Sequence, residues 1–257
     1  MKKLLLIFSV CIIVAFLSSC GENTENTRRG LVNSGDIIQF GDFNWLVLDV
    51  DGDYALVVTE NIISHRRIHG AGSGALTWEQ SDMRRYLNDD FYNRFLTTEQ
   101  SRIRETRVVI DHHWDGGDSG NNTVDKIFLL SFDEVRRYFG DSGERPVDRH
   151  SMGSFILDDR YNHARIAHNV EGAPWATPSP APTPPPLGYI GSVNEINVGE
   201  IVLRGSTWWL RTRGNRDGNF MTVYGDGIIN ASGAHFDSIA GSRGFGVRPA
   251  LWLNMES

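Results

Sequence analysis

A chain of 257 residues with 40% hydrophobic and 11% aromatic residues can bury a sizeable core, which excludes a disordered tail or a collagen-like rod. Its formal charge of −7 argues against nucleic acid or an anionic lipid face as the main partner. The two cysteines, Cys11 and Cys20, both lie near the N-terminus, so no disulfide framework holds the rest of the chain.

Lys2 and Lys3 open the chain, and Leu4 to Phe16 is apolar except for Ser9. A short positive start, a short apolar run and small residues after it describe a secretory signal. The run is shorter than the ~20 residues a spanning helix needs. Leu17-Ser18-Ser19-Cys20 then resembles the bacterial lipobox. That resemblance implies a signal peptide over 1–19, removed before Cys20, with diacylglycerol on the Cys20 sulfur. The protein is then expected at the cell membrane, lipid-anchored on its extracytoplasmic side, with the membrane itself as its partner through Cys20. Loss of Lys2 and Lys3 takes the formal charge from −7 to −9.

Residues 20–34 are polar and are expected to form a tether, with one domain over 35–257. Asp36 to Phe40 and Phe43 to Val50 have strand composition, and Asp51-Gly52-Asp53 is a turn that returns the chain through Tyr54 to Val58 as a hairpin. Thr77-Trp78-Glu79-Gln80 matches a capping box, predicting a helix with Trp78, Met83, Tyr86 and Leu87 on its buried side. Phe91, Phe95 and Leu96 extend the apolar pattern, and Ile103 is expected in a second short helix. Val108 to Ile110 and Asp125 to Leu130 are predicted strands. Ser131-Phe132-Asp133-Glu134 is a second capping box, for a helix closed by Gly140.

Residues 177–187 carry six prolines and are expected to be a polyproline II-like surface insertion within one domain. About 70 residues of short strands follow, too few to stand comfortably alone. The predicted strands are Glu200 to Leu203, Thr207 to Thr212, Met221 to Tyr224, Ile228 to Asn230 and Val247 to Leu253.

Five blocks have a joint pattern: Phe40-Gly41-Asp42-Phe43-Asn44-Trp45-Leu46-Val47-Leu48; Thr77-Trp78 with Ser81, Arg84, Leu87-Asn88 and Phe91-Tyr92; Asp125 to Ser131; Trp208 to Thr212; and Gly246 to Leu251. In this order they resemble a bacterial extracellular domain of unknown function, number 6273. The resemblance implies a fold akin to C-type lectins and formylglycine-generating enzymes. That is an α+β domain with a twisted antiparallel sheet, two or more helices in its first half, and short strands with long loops in its second. A fold of this kind does not supply a function.

Formylglycine-generating enzymes bind copper through cysteines, and none follows Cys20. The histidine pairs His65/His69, His112/His113 and His163/His168 offer metal-ligand types, but Gly70, Gly72 and Gly74 place the first pair beside a loop rather than on a chelating helix. Asp115, Asp118, Asn121, Asn122 and Asp125 are oxygen donors of the kind calcium takes. Their spacing is not that of an EF-hand, and a solvated turn has the same composition. No metal and no catalytic triad or paired carboxylate is assigned.

In a strand, Trp208 and Trp209 face opposite sides, so Trp208 is a candidate to stack on a sugar. With Arg213, Arg216, Asp217, Tyr224 and His235 on the loops that follow, it would form a pocket for a glycan or peptide. The competing expectation packs both tryptophans and pairs Arg211 and Arg248 with buried carboxylates. The most direct functional expectation is therefore an anchored ligand-binding module. An enzyme on the formylglycine-generating-enzyme-like fold and a passive envelope protein are the alternatives.

Overall fold

The computed structural model describes residues 32–70, 76–110, 119–148, 153–169, 196–198, 201–203, 205–235 and 244–256. Cys20, the proline-rich stretch 177–187, Asp115, Asp118, His112 and His113 lie outside the described residues. Among the described residues no helix is long and apolar enough to cross a membrane.

A five-stranded antiparallel sheet is built from β1 (Ile37–Phe40), β2 (Phe43–Asp51), β3 (Tyr54–Thr59) and two strands from much later in the chain. The β1–β2 turn needs Gly41, whose φ is +56° and whose missing Cβ leaves room for the Phe95 ring 2.8 Å from that position. The β2–β3 hairpin closes on Gly52 and Asp53, with Asp51 opposite Tyr54. β4 (Ser64–Arg66) leaves for a second sheet.

The helical segment that follows differs from its sequence reading. Thr77 makes no side-chain cap, and Trp78–Gln80 is a single 3-10 turn. The helix proper, α1 (Asp82–Tyr86), is capped instead by Ser81, whose Oγ accepts the Arg84 amide at 3.1 Å and donates to the Trp78 carbonyl at 2.9 Å. A π-turn (Leu87–Phe91) and a 3-10 turn (Tyr92–Arg94) carry the chain on. Phe91 and Phe95 join Phe40 in an aromatic cluster, the Phe40 and Phe95 rings lying 5.1 Å apart. Leu96 is 68% exposed, against expectation, because the helical track breaks at Phe95 and α2 (Thr97–Gln100) begins a new direction. Ile103 lies beyond α2 and bridges to Leu253 rather than sitting in a helix.

β5 (Thr106–Val108) and β6 (Thr123–Asp125) form a two-stranded ribbon, earlier in register than expected, so that Val109 is exposed. The strand anticipated over Asp125 to Leu130 is split in two. Asn88 inserts its amide at the break: Oδ1 accepts the Lys126 and Ile127 amides, and Nδ2 donates to the Ile127 and Arg84 carbonyls. The backbone that a neighbouring strand would have paired is thus satisfied by one side chain. β7 (Phe128–Leu129) then joins the first sheet, and α3 (Phe132–Phe139) follows with the anticipated capping box, Ser131 Oγ and Glu134 each taking the other's amide. Gly140, at φ +115°, ends α3, with the Tyr161 ring against the place a Cβ would fill.

The second sheet has seven strands. Its new members are β8 (Val147–Asp148), β9 (Phe155–Leu157), β12 (Trp208–Arg213), β13 (Asn219–Val223), β14 (Ile229–His235) and β15 (Phe245–Val247). A short helix, α4 (Asn162–Arg165), follows β9, and β10 (Ile196–Val198) pairs with β11 (Ile201–Leu203). The order is β4-β15-β12-β13-β14-β9-β8, antiparallel except where β12 runs parallel to β15. The expected strand over Val247 to Leu253 is in fact two: β15 belongs to this sheet, while β16 (Pro249–Asn254) crosses to the first and lies between β3 and β7. Arg248 is the corner between them.

One hydrophobic core runs through both sheets and the helical segment, from Trp45 and Trp78 to Trp208, Trp209 and Leu251. With each such side chain worth ~1.5–3 kcal/mol on burial, the domain needs no disulfide. The described residues form a mixed α+β domain with several antiparallel sheets and few helices.

Candidate functional site

The ligand candidates taken from the sequence do not converge. The register of β12, β13 and β14 sets Trp208 opposite Val223 and Val223 opposite Ile229, so Trp208 and Tyr224 belong to one end of these strands. Arg213 and His235 belong to the other, since Arg213 pairs with Phe220 and His235 with Asn219. Arg216 and Asp217 lie in the β12–β13 turn with Arg213, whose Nη2 is ion-paired with the Asp217 carboxylate.

Trp208 is wholly buried and offers no platform for a sugar. Its Nε1 donates to the Arg165 carbonyl at 3.2 Å, and its ring faces the Arg248 guanidinium at 5.2 Å. Trp209 is equally buried, donating to the Arg66 carbonyl at 2.8 Å and packing edge-on against Phe245. The alternation that places them on opposite faces is intact, but this sheet is covered on both.

The two buried arginines have different solutions. Arg211 meets a carboxylate as expected, its fork gripping Glu134 at 2.5 and 2.9 Å while also donating to the Leu129 and Val109 carbonyls. Arg248 does not. It donates to the carbonyls of Thr59 and Glu60, at 2.9 and 3.3 Å, and lies between the Phe139 and Trp208 rings. Burial pushes its guanidinium down to about 10, which the Glu60 charge only partly offsets. Because Thr59 ends β3, Glu60 follows it and Arg248 precedes β16, this side chain ties together the two points where the chain passes between the sheets.

Asp125, a calcium candidate by sequence, is committed within the fold. Its Oδ2 accepts Trp78 Nε1 and Thr123 Oγ1, at 3.0 and 2.7 Å, and its Oδ1 accepts Arg84 Nε at 2.6 Å. Asn122 Oδ1 accepts the Ile110 amide, and Asn121 donates to Glu79. His65 is in an extended strand, its Nε2 hydrogen-bonded to Asn169 Oδ1 at 2.8 Å, and His69 pairs with Asp82, so they do not chelate together. Among the described residues no group of three or more His, Cys, Asp or Glu has metal-binding geometry.

Two open depressions flank the helical segment instead. The first, about 530 Å³, is polar and of mixed charge, with Glu79, Arg84, Tyr92, Glu105 and Lys126 on its walls. Arg84 is spoken for by Asp125, and Lys126 sits 4.2 Å from the Tyr92 ring.

The second, about 580 Å³, lies between β4 and α1. β4 brings His65 and Arg66 to its wall, Arg67 follows, Tyr86 ends α1 and Arg94 ends the 3-10 turn. The Arg66 guanidinium lies 3.6 Å above the Tyr86 ring, and that of Arg94 is within 6 Å of Phe43 and Phe91, at 5.4 and 5.8 Å. A guanidinium stacked on a ring by its face keeps its in-plane donors available for other partners. None of Arg66, Arg67 and Arg94 has a carboxylate partner among the described residues. The groove's own acid, Asp82, is engaged by Arg85 Nη2 at 2.7 Å, the Gly70 amide at 2.9 Å and His69 at 3.1 Å. An excess of positive charge therefore stands in one groove of a chain whose formal charge is −7.

Nothing in the sequence alone marks these residues. Arg66-Arg67 is a plain basic dipeptide, and Tyr86 and Arg94 come near it only through the fold. The abundance of arginine over lysine is the one available signal, and genome composition explains it equally well.

This is an α+β domain whose sheets are framework and whose openings lie along the helical segment. The family described as Domain of unknown function (DUF6273) matches residues 52–255, and the chain belongs to it. No curated protein and no solved structure matches the chain.

Proposed function

We propose that the protein is an extracytoplasmic lipoprotein, held at the cell membrane by lipid on Cys20, whose domain binds a glycan or peptide in the groove between β4 and α1. The observation that carries this is the set of three arginines without carboxylate partners among the described residues around that groove, on an otherwise acidic chain. Concave, partly apolar sites of ~300–1,000 Å³ with a few fixed polar groups are where ligands of this size are held. The loops after β12 are the weaker location, since Arg213 is spent on Asp217 and Trp208 is buried.

The lipobox-like Leu17-Ser18-Ser19-Cys20 supports the anchor. A C-type-lectin-like fold is part of the same proposal, supported by the late strand β16 returning to the early hairpin of β2 and β3.

An array of glycans and peptides probed with the full chain tests the binding, and a fatty-acid label tests the anchor. Retention on a defined ligand class, lost in an Arg66→Ala/Arg67→Ala variant, is expected. Retention on nothing removes the binding proposal. Equal labelling of wild type and Cys20→Ser removes the anchor.

A further inference from the structure

We propose that the groove between β4 and α1 takes an acidic peptide segment in extended conformation; this rests on the binding role proposed above and names its ligand class.

Charge comes first. Arg66, Arg67 and Arg94 all line the groove, all are exposed, and none is paired with a carboxylate among the described residues. The Asp82 carboxylate on the same wall is already taken up by Arg85, His69 and the Gly70 amide. Among the described residues the groove thus lacks free counter-charge, and carboxylates match the planar fork of a guanidinium better than any neutral group does.

The aromatic faces decide between a peptide and a sugar. Sugar rings are recognised by stacking on an open aromatic face. Among the described residues the one aromatic lining this groove is Tyr86, and Arg66 already lies over its ring at 3.6 Å. What the walls offer is three guanidiniums, that of Arg66 stacked on Tyr86, which suits carboxylates carried on a flexible chain.

The backbone supplies the second contact. β4 is the end strand of the seven-stranded sheet, and Ser64, His65, Arg66 and Arg67 all line the groove. β15 pairs with one side of β4; the described contacts near its other side are the pairing of Ile62 with Asn169 and the hydrogen bond of His65 Nε2 to Asn169 Oδ1, while the Arg66 carbonyl accepts Trp209 Nε1, so an added strand would pair through Ser64 and His65. An extended segment laid along this edge can add a strand, with main-chain hydrogen bonds for affinity and alternate side chains for selection. Successive acidic side chains on one face of that segment repeat every two residues, as do those of β4 itself.

The probes are a fluorescent hexaglutamate peptide, a neutral hexaglutamine peptide and oligogalacturonate, each titrated against the full chain. Hexaglutamate is expected to bind and hexaglutamine not to. Arg66→Ala, Arg67→Ala and Arg94→Ala should each weaken hexaglutamate by ~3–10-fold, about what loss of one ordinary solvent-exposed hydrogen bond gives. Arg66→Lys, which keeps the charge and loses the fork, should weaken it less than Arg66→Ala. Raising the salt about tenfold, which shortens the screening length roughly threefold, should weaken hexaglutamate binding in every variant. Should Arg66→Ala disturb the fold, Arg67→Ala and Arg94→Ala still report. Oligogalacturonate binding with no hexaglutamate binding overturns the peptide inference and leaves the binding role standing. Hexaglutamate binding indifferent to all three arginines overturns the placement. Failure of both acidic probes overturns the inference, whatever neutral ligand the array finds.

Discussion

Glu134 holds Arg211 and the Ser131 amide at the same carboxylate oxygen, Oε2, at 2.5 and 2.9 Å. The first turn of α3 and strand β12 are therefore fixed by one group. A second link runs alongside, the Phe132 amide donating to Thr212 Oγ1 at 2.8 Å. Arg211 is 3% exposed and Glu134 27% exposed, so loss of the acid takes the carboxylate from a buried cation. Glu134→Ala should lower stability by ~3 kcal/mol, and Arg211→Met by less, because removing the charge also removes the need for its partner. Urea unfolding of both singles and the double measures this. Strict additivity of the two changes would show that the pair is not coupled.

Asn88 stands in for a strand across the Lys126–Ile127 break. Asn88→Ala should cost ~2–4 kcal/mol, since it strips partners from several backbone groups at once. Asn88→Asp keeps the acceptor for the two amides and should fall between alanine and wild type. Thermal unfolding of the three proteins gives the ranking. A loss below ~0.5 kcal/mol for alanine would mean that water replaces the amide without penalty.

Asp159 predicts an acid limb. Burial raises its pKa, but hydrogen bonds from Arg165, Ser142 and the Tyr161 amide outweigh that, and the net effect holds the carboxyl below its ordinary value. Neither the Asp159 nor the Arg165 side chain is exposed, and they meet at 3.0 Å. A depressed carboxyl contributes stability that is present above the unfolded value of ~3.9 and is lost as pH falls through the folded value. Melting temperature should therefore drop below about pH 4 in the wild type. Asp159→Asn should melt lower at pH 7 and show a shallower acid limb. An unchanged limb would assign the acid sensitivity to other carboxylates.

The proline-rich stretch 177–187 should be dispensable to folding. Deletion of residues 177–186 is expected to change the melting temperature little, because loop-closure entropy varies only slowly with length. Two separate unfolding transitions in the parent protein would instead mark two domains.

The elements legible in the sequence are those whose signals are local. Ser131 and Glu134 cap α3 as their spacing requires, and Gly52-Asp53 turns the first hairpin. The misleading signals are local as well, but partners distant in sequence overrule them. Thr77 has the right spacing to Gln80, yet Ser81 wins the cap because Trp78 turns inward to donate to Asp125. The apolar run from Val247 to Leu253 carries no sign of the corner at Arg248, whose side chain donates to the distant Thr59 and Glu60 carbonyls. The candidate site is the least legible part. Arg66 and Tyr86 are twenty positions apart, as the numbering shows, and no periodicity links them. The stretch from Arg213 to His235 has the polar composition of a site, whereas the fold distributes its residues to opposite strand ends.

The place of β16 has a consequence in time. A chain made from its N-terminus presents β1, β2 and β3 first, yet β3 waits for Leu251 and its neighbours before its free side is paired. β7 waits for the same strand on its own side. Pairings this far apart in sequence form slowly. Until the last strand arrives, the half-built sheet has two open edges, the kind that pair with other chains. A chain that ends before β16 leaves the facing edges of β3 and β7 without the strand that joins them.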